Sequence, residues 1–215
     1  MKCPECGNKI IELDQKFCEK CGFDLSREEF KSELKLFDNL QKYYILTENY
    51  WKHGTGRIYN ERGLIIGSIH KKKEGFKGRI LIKDSDNNIL AKITRKSLSM
   101  RHIHFLSDPT GNLIAKYKKK MVSNFRSIFY LEDHVGTRKY EAYGEFMDFK
   151  FNIKDITTEK IIAEFDKVER WKNEISSEIL NLYDAYALKI KDTIIDKRML
   201  LGFVLGSKYI IYDVF

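Results

Sequence analysis

The sequence predicts a mainly β protein. A small metal-binding module comes first, then a short helix, then an antiparallel meander that ends in a buried apolar helix. Three observations carry this reading. All four cysteines fall within the first 21 of 215 residues, as two Cys-x-x-Cys pairs. Apolar and polar residues alternate with period two in later stretches, the mark of strands with one face buried. One strand-turn-strand unit occurs twice, 24 residues apart.

With 43% hydrophobic, 33% charged and 13% aromatic residues, and only two prolines (Pro4 and Pro109), the chain is neither disordered nor low in complexity. The 194 residues after Cys21 contain no cysteine, unlike a secreted, disulfide-stapled domain. No apolar stretch follows Lys2, so no signal or transit peptide is readable. The expected compartment is the reducing cytoplasm.

Cys3-x-x-Cys6 and Cys18-x-x-Cys21 stand eleven residues apart, and each pair is followed by glycine, Gly7 and Gly22. Two intervening residues let a tight turn aim both sulfurs at one ion about 2.3 Å away, and the glycine relieves the turn where a positive φ is needed. Four protein thiolates leave no open position, so the expected zinc is structural. Residues 9–13 and 16–17 supply the arms of a ribbon over residues 1–25. A redox dithiol is the competing reading, but it needs one pair opening a helix, not two matched pairs.

Ser26-Arg27-Glu28-Glu29 reads as a capping box. Phe30, Leu34, Phe37 and Leu40 or Gln41 follow at helical spacing, which predicts an amphipathic connecting helix within residues 26–42. Its apolar stripe is expected to pack on the domain that follows, with self-association as the alternative.

From residue 43 onward the period is that of strands. Met147, Phe149, Phe151 and Ile153 alternate with polar residues, as do Tyr186, Leu188 and Ile190 with Ala187, Lys189 and Lys191. The segment Ile82 to Ile93 aligns with Leu106 to Tyr117, matching Asp84 to Asp108, Asn88 to Asn112, Ala91 to Ala115 and Lys92 to Lys116. Each copy is a hairpin whose turn has Asp, Asn, Pro or Gly chemistry. Asp84-x-Asp86-x-Asn88 also resembles the start of a calcium loop. Ile89 and Arg95 stand where such a loop needs Gly and Glu, so the turn reading prevails.

Met199 to Gly206 is a strongly apolar run with a Gly202-x-x-x-Gly206 spacing. Arg198 and Lys208 bracket nine residues, too few to span a bilayer, which needs about 20. A helix apolar on every side belongs in a core, where glycines admit close neighbours. Between the strands, Val168, Trp171, Ile175, Ile179 and Leu182 have helical spacing.

The hairpin repeat, Lys167 to Lys172, Tyr183 to Ile190 and the apolar terminus from Met199 to Phe215 together resemble the phospholipid scramblase-like and LURP-one-related proteins of the Tubby C-terminal superfamily. The resemblance covers roughly residues 43–215. It implies a closed barrel of about twelve antiparallel strands with the C-terminal helix threaded through it, and it puts part of 168–182 in a strand. The superfamily includes phosphoinositide-binding proteins and proteins linked to calcium-dependent lipid scrambling. Asp184, Asp192 and Asp196 lie scattered among lysines here, which argues against a calcium switch.

Net charge of +8 is concentrated. Residues 51–120 carry 17 Lys/Arg against 5 Asp/Glu, while 1–50 carry 8 against 10 and 121–215 carry 14 against 16. No nucleophile elbow, P-loop or His-Glu-x-x-His is present, and Gly54-Thr55-Gly56 lacks its third glycine, so an enzyme is not expected. His102 and His104 lack a third ligand nearby and read as surface or packing residues. The expected function is attachment to anionic phospholipid headgroups, or to another polyanion, through Lys71, Lys72, Lys73, Lys77, Lys116, Lys118, Lys119 and Lys120. On the order of 1 kcal/mol each would give reversible peripheral membrane attachment. Alternatives are nucleic-acid binding, with Trp51, Tyr59, Phe76 and Phe125 as stacking faces, and a protein scaffold whose ribbon recruits a partner. Plain solvation of a β surface by lysine explains the same composition.

Overall fold

The computed structural model describes residues 3, 6–9, 17–24, 35–47, 54–74, 77–95, 103–123, 126–182, 184–192 and 194–212, with the side chains of 73, 74, 77, 121–123, 126, 127 and 208–212 outside the description. Twelve strands follow one another: β1 Tyr43–Thr47, β2 Thr55–Tyr59, β3 Ile65–Glu74, β4 Lys77–Asp84, β5 Ile89–Arg95, β6 Ile103–Ser107, β7 Leu113–Ser123, β8 Arg126–Asp133, β9 Arg138–Glu145, β10 Lys150–Asp155, β11 Ile161–Lys167 and β12 Ala185–Ile190. Each pairs antiparallel with its chain neighbour, and β1 also pairs with β12, closing a barrel that leaves no sheet edge. Because all neighbours are antiparallel, odd-to-even connections gather at one end and even-to-odd connections at the other.

The even-to-odd end is built from one device used repeatedly. Asn60, Asp84, Asp108 and Asp133 each accept, through the backbone carbonyl, from the amide three residues on, and each donates to the carbonyl four residues on. Their side-chain oxygens accept from the amides of Leu64, Asn88, Asn112 and Thr137. The fourth residue has positive φ, supplied by Gly63, Asn87, Gly111 and Gly136. Asp155 opens a longer version. A register shift precedes every one of these turns, at Ile58/Tyr59, Ile82/Lys83, Leu106/Ser107, Leu131/Glu132 and Ile153/Lys154. The two-copy repeat legible in sequence is therefore five copies long.

The apolar terminus forms helix α2, Lys197–Tyr212, inside the barrel. Residues 199–207 are all buried. Phe203 sits among Tyr117, Phe129 and Phe151, with ring centroids 5.8, 5.6 and 5.7 Å away. The helix enters at the turn end, where the buried Lys197 ammonium donates to the carbonyls of Asp38, Asn39 and Gln41 at 2.6, 2.7 and 2.8 Å. Its C-terminus therefore points to the other end.

Three expectations need correction. The capping box and residues 26–34 of the connecting helix lie outside the described residues, but 36–40 are turns, not helix. There Asp38 Oδ1 accepts from the Leu40 amide, and Lys197 takes the carbonyls that a helix would use. Leu36, not Leu40, is buried, and Leu40 is 82% exposed. Second, β10 starts at Lys150, because Phe149 has φ +57° and sits in the turn, with Met147 exposed. Third, β12 is buried on both faces rather than one. Residues 168–182 form a 3₁₀ turn, Val168–Trp171, and a short helix α1, Ser177–Leu180. Val168, Trp171, Ile175 and Ile179 from this flap make a second core with Tyr43, Ile45, Ala185 and Ala187 on the outer side of β1 and β12. The helical spacing of 168–182 thus reflects a covering flap, and the strand before it ends at Lys167.

Candidate metal centre and basic barrel end

The four cysteines form two matching knuckles. Gly7 N donates to Cys3 O and Gly22 N to Cys18 O, both at 2.8 Å, while Cys3 N and Cys18 N donate to Asn8 O and Phe23 O. Gly7 and Gly22 have φ of +69° and +70°, the conformation their position predicts. An antiparallel bridge between Phe17 and Asp24 flanks the second knuckle; the arm residues 10–16 lie outside the described ones.

The Sγ atoms of Cys3 and Cys21, and of Cys6 and Cys18, are 3.6 Å apart, and all four ligand atoms lie within 4.8 Å of one another. A tetrahedral ion with Zn–S bonds of about 2.3 Å requires S···S separations of about 3.8 Å, so the cage fits zinc. The thiols also need a cation. Burial raises the Cys18 thiol, but the amides of Cys21 and Lys20 and the adjacent thiols outweigh it and bring it down to about 6. The Phe23 amide draws Cys21 down, yet burial and the other three sulfurs push it up to about 12. Four thiolates this close cannot all ionise until a divalent ion compensates them. With every ligand a protein thiolate, the zinc is structural.

Along their strands, seven of the eight lysines singled out in the sequence lie between mid-strand, where Lys118 sits, and the odd-to-even end. Lys71, Lys72 and Lys73 close β3 and Lys77 opens β4, while Lys119 and Lys120 follow Lys118 toward the end of β7. Lys116 belongs elsewhere. It lies nearer the turn end, with its Nζ 3.7 Å from where a Cβ on Gly136 would stand.

The seven do not share one face. Lys118 Nζ is 2.7 Å from the carboxylate of Glu132, whose side chain is 4% exposed, so its charge is largely compensated. Lys120 stands 6.0 Å over the Tyr130 ring. Lys119 pairs with buried Phe129, and Lys71 with buried Ile80, which puts both on the rows that face the barrel lumen. Lys72 is exposed opposite Arg79. Arg79 and Arg95 add to this end and were not singled out in the sequence. Extending the 24-residue repeat along the chain would have grouped Arg95 with Lys71 and Lys119. Arg95 pairs with His104, which is 3% exposed, so that histidine is a packing residue. The inward row of Lys119 and Arg95 lies one step beyond Tyr117 and Ile93, the residues that a Cβ on Gly206 of α2 would meet. Cations there face the negative end of the helix dipole.

A closed antiparallel barrel threaded by its own C-terminal helix, with a four-thiolate ribbon ahead of it, defines a class of helix-filled barrel proteins carrying a structural zinc module. The chain belongs to the LURP-one-related family, whose model matches residues 42–206. A zinc-ribbon domain model matches residues 2–25. Among solved structures, the X-ray structure of a protein from Arabidopsis thaliana is similar, with 10% sequence identity and a TM-score of 0.53, covering 79% of this chain and 94% of that one. That likeness shows the fold. No curated protein matches this chain. No helix among the described residues is long and apolar enough to cross a membrane.

Proposed function

We propose that the chain is a non-enzymatic binding module that attaches, from the cytoplasm, to anionic phospholipid headgroups through the lysine-rich end of its barrel. One observation carries the reading: the β3–β4 and β7–β8 hairpins, far apart in sequence, open at the same end. Residues 71–79 carry five Lys/Arg and one Glu, and residues 118–126 carry four Lys/Arg and no acid. The opposite end presents Asp84, Asp108, Asp133 and Asp155 in its turns. A barrel polarised in this way orients itself against a negative surface, and each basic residue near it contributes on the order of 1 kcal/mol.

Flotation with neutral and anionic vesicles at low and physiological salt tests this. Binding is expected with anionic vesicles alone, weakened by salt and by Lys72→Glu with Lys120→Glu, but not by Lys116→Glu. Equal binding to neutral vesicles removes the proposal. Retention of single- or double-stranded nucleic acid in a gel shift, with no vesicle binding, reassigns the same charges to a phosphate backbone.

A further inference from the structure

Between the two barrel ends, the outer wall over β6 to β10 is basic and aromatic at once. Lys116, Lys118 and Lys120 alternate along β7 with the inward Tyr117 and Lys119, so all three point outward. Arg138 joins them from β9, against Glu132 and Glu141. Glu132 is shared by Lys118 at 2.7 Å and Arg138 at 3.8 Å, and Glu141 is 3.7 Å from Lys154. Among the described residues, Lys116 and Lys120 meet no carboxylate within ion-pair distance. The wall keeps a surplus of positive charge, whose complement is an anion.

The aromatic residues lie on the same outward rows. Phe105 on β6 stands opposite Lys116, Tyr130 on β8 opposite Lys118, and Tyr143 on β9 opposite Ile128, and all three rings are half-buried. Tyr130 and Tyr143 are diagonal neighbours on adjacent strands, about 7–8 Å apart. Arg138 stands over the Tyr130 ring at 4.3 Å and Lys154 over the Tyr143 ring at 5.9 Å. Beside Tyr143 is a hollow of about 180 Å³, walled also by Asn152 and Arg170. That is below the roughly 300–1,000 Å³ of a site for a drug-sized ligand and suits one flat ring. The Asn152 side-chain amide makes no hydrogen bond among the described residues, so its donor and acceptor can read the edge of such a ring.

We infer that this wall binds single-stranded nucleic acid, with one base stacked on Tyr143, its edge toward Asn152, and phosphates along Lys116, Lys118 and Lys120. Alternate residues of a strand stand about 6.8 Å apart, close to the phosphate repeat of an extended single strand. An acidic peptide would use the charges and leave the rings and the hollow without a role. The inference does not rest on the phospholipid reading, which needs no tyrosine.

Fluorescence anisotropy with short labelled oligo(dT) and oligo(rU) on the full chain tests it. Binding to one or both is expected, weakened about 5- to 100-fold by Tyr143→Ala and kept within about twofold by Tyr143→Phe, since stacking needs only the ring. Thermal melts check that the variants fold, and Tyr130→Ala supplies the same reading should Tyr143→Ala not fold. No binding of either oligonucleotide overturns the proposal. So does binding that neither tyrosine variant changes, or that a duplex or poly-glutamate matches, because that is charge alone. Vesicle flotation of Tyr143→Ala should equal the wild type; a loss there with oligonucleotide binding intact assigns the wall to lipid and also overturns it.

Discussion

The Tyr117 hydroxyl donates to the carbonyl of Met199 at 2.9 Å across the barrel lumen, joining residues 82 positions apart. This bond fixes how far α2 slides into the barrel, because Met199 lies in the helix's first turn, where Tyr117 from β7 meets it. Gly202, one turn on, leaves the room that the Tyr117 hydroxyl needs.

That relationship sets opposite outcomes for the two helix glycines. A Cβ on Gly202 would stand 2.5 Å from Tyr117 Oη and 3.0 Å from Leu106 Cδ1, whereas one on Gly206 meets ordinary contacts at 3.7 and 3.8 Å. Gly202→Ala should lose about 1–3 kcal/mol through overpacking, and Gly206→Ala should gain about 0.5–1 kcal/mol from helix propensity. Urea unfolding followed by circular dichroism reads both. Loss of stability from the two alike would contradict the threading.

Lys197 holds the loop before β1 against the helix entry. Lys197→Met should cost at least about 2 kcal/mol, since the Asp38, Asn39 and Gln41 carbonyls lose a charged donor that they share. Lys197→Arg should not restore the loss, because a planar fork cannot replace a point charge with three converging acceptors. Chemical denaturation of both variants decides, and full rescue by arginine would refute the clamp.

The repeated turns carry a pH signature. Hydrogen bonds from Thr110 and then from Asn112 hold the Asp108 carboxylate at about 2, below its ordinary 3.8. The unfolded chain therefore binds more protons between these values, so the turn's contribution is complete above pH 4 and is lost as pH falls toward 2. Asp108→Asn should flatten the thermal midpoint against pH in that interval. A variant profile parallel to the wild type would show that Asp108 contributes nothing there.

Zinc and barrel should separate in metal removal. The preparation is expected to hold one zinc per chain, lost in Cys18→Ser, with the barrel's unfolding transition unchanged because neither of the barrel's two apolar clusters contains a cysteine. Elemental analysis beside calorimetry checks this. A barrel that melts with chelation would mean that the ribbon is part of its structure.

Local chemistry was legible wherever it needs only neighbours in sequence. The cysteine knuckles with their positive-φ glycines, the Asp84 and Asp108 turns and the apolar run from Met199 could all be placed from residue type and spacing. Three more copies of the turn were missed because Asn60, Asp133 and Asp155 keep the turn chemistry but have different flanking residues. The outer row of β12 misled for another reason: Ala187 is a fully buried residue only because the 168–182 flap, contributed by a separate stretch of chain, lies over it.

The sequence by itself determined what short-range sterics and ligand chemistry dictate: a four-sulfur zinc cage, reversing turns at a regular interval and a helix too apolar to meet water. Only the tertiary structure decided which distant hairpins share a barrel end, that Lys118 is compensated by Glu132, and that Lys116 lies away from the other lysines. The physical reason is strand pairing. Its register and closure set the positions of charges across the sheet, and no window of neighbouring residues contains that information.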